Sequence, residues 1–279
     1  MRTIDRNSII NSVADLCGQA AMFLPKDVYR ALEKSKTEET KPIAKEIFSQ
    51  LMENADIARE EKTPICQDTG LCIVFAELGR EIYMDYDIYD AINQGVGKGY
   101  TDNYLRKSIV RHPLDRVNTQ NNTPAVIHLK IVPGDKLKIT VAPKGGGSEN
   151  MSVAKVFPPA AGEKGIIDFV TETVKNAGAN PCPPLVLGIG IGGNLEYAAY
   201  MSRKALTRTV GNYSENPIDK ALEEKIINAV NETGVGPSGY GGDTTCLFAF
   251  VESAPCHIAS MPVAISINCH AARHKEIIL

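Results

Sequence analysis

Three cysteines stand where regular structure should break. Cys66 lies in Pro64-Ile65-Cys66-Gln67-Asp68-Thr69-Gly70, Cys182 in Asn180-Pro181-Cys182-Pro183-Pro184, and Cys269 in Asn268-Cys269-His270-Ala271-Ala272-Arg273-His274. Loops at the ends of elements are where ligands and catalytic groups concentrate. The competing reading is packing, because a cysteine is also a small buried hydrophobe. Packing accounts for Cys17 on a helical stripe and for Cys72 and Cys246 in apolar runs. Cys256, in Ala254-Pro255-Cys256-His257, and the three boundary cysteines fit either reading. No Cys-x-x-Cys pair exists, which disfavours a zinc ribbon or a thioredoxin-like site.

Polar groups surround these thiols. Gln67, Asp68 and Thr69 put an amide, a carboxylate and a hydroxyl directly after Cys66, although a turn built on Asp and Gly uses the same residues. In Lys144-Gly145-Gly146-Gly147-Ser148-Glu149-Asn150, consecutive glycines let backbone N–H groups converge on an anion. The lysine precedes the glycines, so this is no P-loop, and a flexible surface loop is the plain alternative. Gly188, Gly190 and Gly193 satisfy G-x-G-x-x-G. A dinucleotide site also needs a following strand and an acidic residue about 20 positions on, whereas here the helix leads into the loop Asn212 to Asn216 and then another helix. Close packing of a strand on a helix accounts better for these glycines. Arg106, Arg111 and His112 follow a helix, where a basic group complements the helix dipole or clamps a carboxylate. His257, His270 and His274 fall within the last 25 residues, near Cys256 and Cys269.

The elements that must position these groups follow from periodicity. Ile9, Val13, Leu16 and Ala20 predict a first helix. Pro25 opens a second with Val28 and Leu32, and Pro42 starts a third with the stripe Ile43, Ile47, Leu51 and Ala55. Ile88, Ala91, Ile92 and Val96 predict a fourth, running towards Arg106 and weakened by three glycines. The polar stretch from Val117 to Pro124 reads as a loop. A hairpin is expected next, with Ile127, Leu129 and Ile131 alternating before Pro133-Gly134-Asp135 and Leu137, Ile139 and Val141 after it. Lys144 to Asn150 reads as a loop, Ile166 to Val174 as a helix, and Leu185 to Ile191 as a buried strand. Ala198 to Leu206 and Ile218 to Val230 read as helices. Five glycines crowd Gly234 to Gly242 before two apolar strands, Cys246 to Val251 and Ile258 to Ile267. The order predicts an α+β fold, a helical N-terminal part followed by a mixed, mainly antiparallel sheet packed with helices. No linker divides the chain, so residues 1–279 are expected to form a single catalytic domain.

Composition sets the outer limits. Hydrophobic residues make up 43% and charged residues 23%, with a net charge of −3, the balance of a globular protein. There is no basic field for nucleic acid or anionic lipid, and with no Trp and 6% aromatics no stacking platform for single strands. No apolar run approaches a membrane span, and the N-terminus lacks the unbroken apolar stretch of a signal peptide. Seven cysteines, an odd number, then point to a reduced, cytoplasmic compartment.

Taken together, the motifs make the chain resemble the alpha subunit of the two-subunit, iron–sulfur class I fumarases, relatives of L(+)-tartrate dehydratase. The resemblance rests on the segments around Cys66, Lys144 to Asn150, Cys182, Gly236-Pro237-Ser238-Gly239 and Cys269, in the family's order and across essentially the whole chain. It implies that Cys66, Cys182 and Cys269 ligate one [4Fe-4S] cluster and leave one iron without a protein ligand. That iron would act as a Lewis acid on a substrate hydroxyl and carboxylate. The resemblance also implies that Gln67 and Asp68 line the substrate site, with Asp68 taking part in proton transfer. Arg106 would bind a substrate carboxylate, the Gly146-Gly147 backbone would hydrogen-bond substrate oxygens, and His257 would stand near the active site. Lys144 is a further candidate.

Full-length members of that family carry a second, C-terminal domain with more substrate-binding groups, and this sequence ends at Leu279 without it. The resemblance therefore implies a separate beta subunit, a higher hetero-oligomer and a small dicarboxylate substrate. An alpha chain alone should bind the cluster and turn over poorly. The expected activity is reversible hydration of fumarate to (S)-malate. L(+)-tartrate dehydration to oxaloacetate keeps the chemistry and changes the substrate. Two other classes compete: an NAD-dependent oxidoreductase using Gly188 to Gly193, and a non-catalytic cluster-binding protein.

Overall fold

The computed structural model describes residues 2–279. In chain order it runs β1 (Arg2–Thr3), α1 (Arg6–Met22), α2 (Lys26–Glu38), α3 (Pro42–Glu61), β2 (Leu71–Gly79), β3 (Ile82–Tyr83), α4 (Ile88–Asp102), β4 (Val126–Val132), β5 (Leu137–Lys144), α5 (Gly146–Glu149), β6 (Val153–Phe157), α6 (Gly162–Ala177), β7 (Leu185–Gly193), α7 (Leu195–Ala205), α8 (Pro217–Asn231), β8 (Cys246–Cys256), β9 (Met261–Asn268) and β10 (Lys275–Ile278). The fold is α+β, helices first and mixed sheets after, as the sequence predicts.

These elements build two compact units. One takes Met1–Leu24, Ala55–Gly146 and Arg273–Leu279; the other takes Pro25–Asn54 and Gly147–Ala272. The chain changes unit four times, once inside α3, so no composition break marks a linker.

In the first unit the sheet order is β10-β5-β2-β4, with β2 parallel to β4 and antiparallel to β5. The expected hairpin does not form. Cys72 to Ala76 in β2 are all buried, and a strand apolar on both faces takes the centre of a sheet. It therefore separates β4 from β5. β4 is the edge strand, with Ile131 exposed. The Pro133-Gly134-Asp135 turn survives as a lid on the end of β2. Gly79 N–H donates to Lys136 O, and a Cβ on Gly79 would lie 2.4 Å from Gly134 O. The glycines in α4 turn out to be packing surfaces. A Cβ on Gly95 would meet Val13 at 2.7 Å, and one on Gly99 would meet Ala14 O at 2.7 Å. Their absence lets α1 and α4 touch backbone to backbone. The core joins Ile9, Val13 and Leu16 to Ile92, Val96 and Tyr100 and to Leu137, Ile139 and Val141. α4 stops at Asp102, short of Arg106.

The second unit repeats this wiring. Its sheet order is β6-β9-β7-β8, with β7 parallel to β8 and antiparallel to β9. Again the first long strand takes the centre and divides the two that follow. α6 and α8 cover it through Val170, Val174, Leu222, Ile226 and Val230. Each such fully buried aliphatic side chain stabilises the fold by about 1.5–3 kcal/mol. A stretch of α3 packs in this unit, but on Ala44 and Phe48; the expected Ile43 is 54% exposed. The predicted strand start at Ile258 is also corrected, since that residue is 92% exposed in the turn before β9.

Candidate functional site

The Cys66 loop belongs to the first unit. α3 is ended by Lys62 in the left-handed region and by Pro64, and Ile65 N–H donates to Ala21 O, which ties the loop to α1. Cys66 is half-buried, and its Sγ accepts the N–H of Asp68 at 3.4 Å. Gln67 is exposed. Asp68 is held on every side. Oδ1 accepts Gly70 N–H at 3.1 Å, Oδ2 accepts Gly146 N–H at 2.7 Å, and its main-chain O accepts Arg273 Nη2 at 2.6 Å. From beneath, Tyr100 Oη donates to Thr69 O at 2.8 Å and to Gly70 O at 3.1 Å, and Asn122 Nδ2 donates to Gly70 O. Burial pushes the Tyr100 phenol well above its ordinary value, so it stays a donor. Gly70 must be glycine: φ is +75°, and a Cβ would lie 2.6 Å from the Lys144 backbone.

Thr69 Oγ1 donates to Arg106 O at 2.9 Å and fixes the backbone of that residue. The Arg106 side chain is exposed, and its guanidinium makes no hydrogen bond or ion pair among the described residues. Arg111 and His112 sit farther along the same loop, where His112 Nδ1 accepts Leu114 N–H. Lys144 is buried at the end of β5. The glycine loop that follows is a single helical turn, α5. Its Gly146 N–H points at an anion, but the anion is the Asp68 carboxylate.

The other cysteines belong to the second unit. Cys182 is exposed and holds φ +54°, a left-handed conformation costly for a residue with a side chain. Two other motif segments hold it there. His270 N–H donates to Cys182 O at 3.2 Å, with His270 Nδ1 3.1 Å from the same oxygen. Ser238 N–H donates to Pro183 O at 2.7 Å. Gly239, at φ +79°, approaches Ala179 so closely that a Cβ would meet it at 2.5 Å. The role of Gly236-Pro237-Ser238-Gly239 is thus to brace the Cys182 loop. Cys269, half-buried, directly precedes His270. A Cβ on Gly147 would lie 3.2 Å from Asn180 O, and Glu149 is gripped by both amino groups of Arg203 on α7. Arg203 carries no motif signature, and Arg273, although it follows Cys269 in the same segment, has no role that its sequence surroundings predict.

His257 stands apart from Cys182 and Cys269. It is exposed in the turn between β8 and β9, at the opposite end of β9 from Cys269. Eight strand residues separate those ends, roughly 25 Å of extended chain. Its Nδ1 accepts Ala259 N–H, so the neutral ring carries its proton on Nε2.

Whether thiols here suit an iron–sulfur cluster is a question of donor chemistry, since such clusters need thiolates. A hydrogen bond with Cys17 and burial push the Cys72 thiol well above its ordinary value, and burial pushes Cys246 up to about 12. Those remain protonated packing groups, as the sequence suggests. Cys66, Cys182 and Cys269 instead occupy reachable loop positions, and Cys66 already receives an N–H on sulfur. In donor type, three reachable thiols match what such a cluster needs. Among the described residues no three His, Cys, Asp or Glu side chains are gathered as a ligand set.

The glycine fingerprint is accounted for. Gly188 and Gly190 lie inside β7, not in a turn after it, and a Cβ there would meet α7 at Ser202 O, 2.1 Å, and at Ala198 O, 2.0 Å. Among the described residues no helix is long and apolar enough to cross a membrane.

Known proteins resemble the chain along its length. The family model for fumarate hydratase (Fumerase) matches residues 10–278. A protein of Methanocaldococcus jannaschii, provisionally named L(+)-tartrate dehydratase subunit alpha, is 41% identical over 272 residues, 95% of each chain. The L(+)-tartrate dehydratase subunit alpha of Escherichia coli O157:H7 is 31% identical over 277 residues, covering 98% of this chain and 91% of its own. That of strain UTI89 is 32% identical over 271 residues, covering 96% and 89%.

Proposed function

The chain belongs to the fumarate hydratase (Fumerase) family, and on that premise we propose that it is the alpha subunit of an iron–sulfur hydro-lyase that reversibly hydrates fumarate to (S)-malate. Cys66, Cys182 and Cys269 would hold a [4Fe-4S] cluster. When bound, the cluster supplies Lewis acidity through an iron without a protein ligand, which eases loss of hydroxide from carbon. The observation that carries the reading is the Cys182 loop. Three motif segments far apart in sequence meet there to hold one exposed thiol in a costly backbone conformation.

The chain's own residues then have definite tasks. The unpaired Arg106 guanidinium clamps a substrate carboxylate in a fork of two N–H donors. Gln67 adds an exposed amide between Cys66 and Asp68 in sequence. Asp68, fixed by Gly70 and Gly146, takes the proton from the carbon next to the carboxylate, or returns it in hydration. Since Gly146 N–H is engaged by Asp68, main-chain donation to a substrate oxygen falls first to Gly147, whose N–H has no intrahelical acceptor. His257, exposed at the far end of β9 from Cys269, is given no step in this reaction. Buried Lys144 supports the loop.

The whole of residues 1–279 acts as one catalytic domain in this reading, in the cytoplasm, with a beta subunit completing a hetero-oligomer. The names of the relatives as alpha subunits support that partner. They also favour a second reading, dehydration of L(+)-tartrate to oxaloacetate. Rates on fumarate, (S)-malate and L(+)-tartrate, measured on the anaerobically assembled complex with the beta subunit, decide between them. A larger kcat/KM on fumarate supports the first reading. A larger value on tartrate replaces it.

A further inference from the structure

Arg273 is 6% exposed, and its Nη2 donates to the main-chain O of Asp68 at 2.6 Å. Its Nη1 is buried with no hydrogen-bond partner among the described residues. A buried cation is rarely kept for packing, because an apolar side chain of similar volume fills the space without the desolvation penalty. A purely structural residue would also not leave a buried donor unsatisfied.

We propose that Arg273 is a positioning residue that sets the Cys66–Asp68 turn. The peptide group before Asp68 is fixed by its N–H on Cys66 Sγ, and the one after it by Arg273 on Asp68 O. Peptide groups are planar, so fixing both sets the backbone torsions of Asp68. The carboxylate then has one direction, with Oδ1 on Gly70 N–H and Oδ2 on Gly146 N–H. The donor is charged, so its bond to a carbonyl is about twice as strong as a neutral one. Asp68 and Arg273 also act with opposite sign on the buried Tyr100 hydroxyl, which bonds the next two carbonyls of the same turn. Without Arg273 the turn keeps its outer contacts and loses the one that orients Asp68 from its own backbone. The consequence for catalysis rests on the proposed roles of Cys66 and Asp68.

The test is amide hydrogen exchange on the full-length chain, without cluster, for wild type, Arg273→Met and Arg273→Lys. The proposal predicts that Arg273→Met exchanges about tenfold faster at residues 66–70 and at Gly146, with β7 and α6 unchanged. Arg273→Lys, which keeps a charged donor, should restore most of the protection. In the assembled complex, Arg273→Met should lower kcat about tenfold with KM changed less than about twofold. Unchanged exchange at 66–70 and Gly146 overturns the proposal, and so does faster exchange spread over all elements. Faster local exchange in a chain whose wild type takes up no iron would keep the positioning role and reject the cluster reading.

Discussion

The main-chain N–H of Gly146 donates to Oδ2 of Asp68 at 2.7 Å, joining residues 78 apart in sequence. One carboxylate therefore has two duties, anchoring the glycine loop and, in the proposed reaction, moving a proton. The duties separate by substitution. Asp68→Asn keeps an acceptor oxygen for one main-chain N–H and removes the base. It should lower kcat about 100-fold or more, with little change in thermal midpoint. Asp68→Ala removes the anchor too and should lower both. A fully active Asp68→Asn complex would contradict the proton-transfer role.

Arg106 is exposed, with its backbone fixed by Thr69 and its guanidinium uncommitted. Arg106→Gln should raise KM for the dicarboxylate about 10- to 100-fold, with a smaller fall in kcat, because a charged fork binds carboxylate in ground and transition states alike. Steady-state kinetics on the assembled complex check this. An unchanged KM would place the carboxylate elsewhere.

Gly190 tests the competing oxidoreductase reading. A Cβ there would lie 2.0 Å from Ala198 O, against helix backbone that cannot swing aside. Gly190→Ala should destabilise the chain by about 3 kcal/mol in denaturant unfolding. Wild type should leave NADH fluorescence unchanged. Saturable NADH binding abolished by a well-folded Gly190→Ala would revive the dinucleotide site.

The Asp243 carboxyl is held below its ordinary value, first by the Thr40 hydroxyl at 2.6 Å and then by the Thr40 N–H at 2.8 Å. A carboxyl lowered in the folded state adds stability above its unfolded pKa and loses it as pH falls through the folded value. Asp243→Asn should therefore melt below wild type at neutral pH. The gap should close as pH falls below about 4. Thermal melts of both proteins from neutral to acid pH check the sign. A gap that widens in acid would contradict it.

The helices were legible because their apolar spacing is local, and α2, α3 and α8 start at Pro25, Pro42 and Pro217. The phase of α3 was not, because Ile43 and Ala44 are neighbours and only the packing shows that the smaller one faces inward. The hairpin error has a non-local cause. β4 and β5 alternate like partners, and nothing within residues 126–144 reveals that β2 lies between them. The insertion of β7 between β8 and β9 is non-local in the same way. Motif cysteines and glycines were readable from their Pro, Gly and Asn surroundings. The tasks of Arg203 and Arg273 were not, since an arginine paired with Glu149 or buried on a carbonyl looks in sequence like any surface cation.

The central claim is that Cys66, Cys182 and Cys269 hold a cluster. It is tested most directly by iron and acid-labile sulfide per chain after anaerobic reconstitution, in wild type and in Cys66→Ser, Cys182→Ser and Cys269→Ser, with Cys256→Ser as the exposed control. The account predicts about four irons and four sulfides in wild type and in the control, and a clear fall in each of the three variants. Iron that is absent from wild type, or that persists undiminished in all three variants, would contradict it.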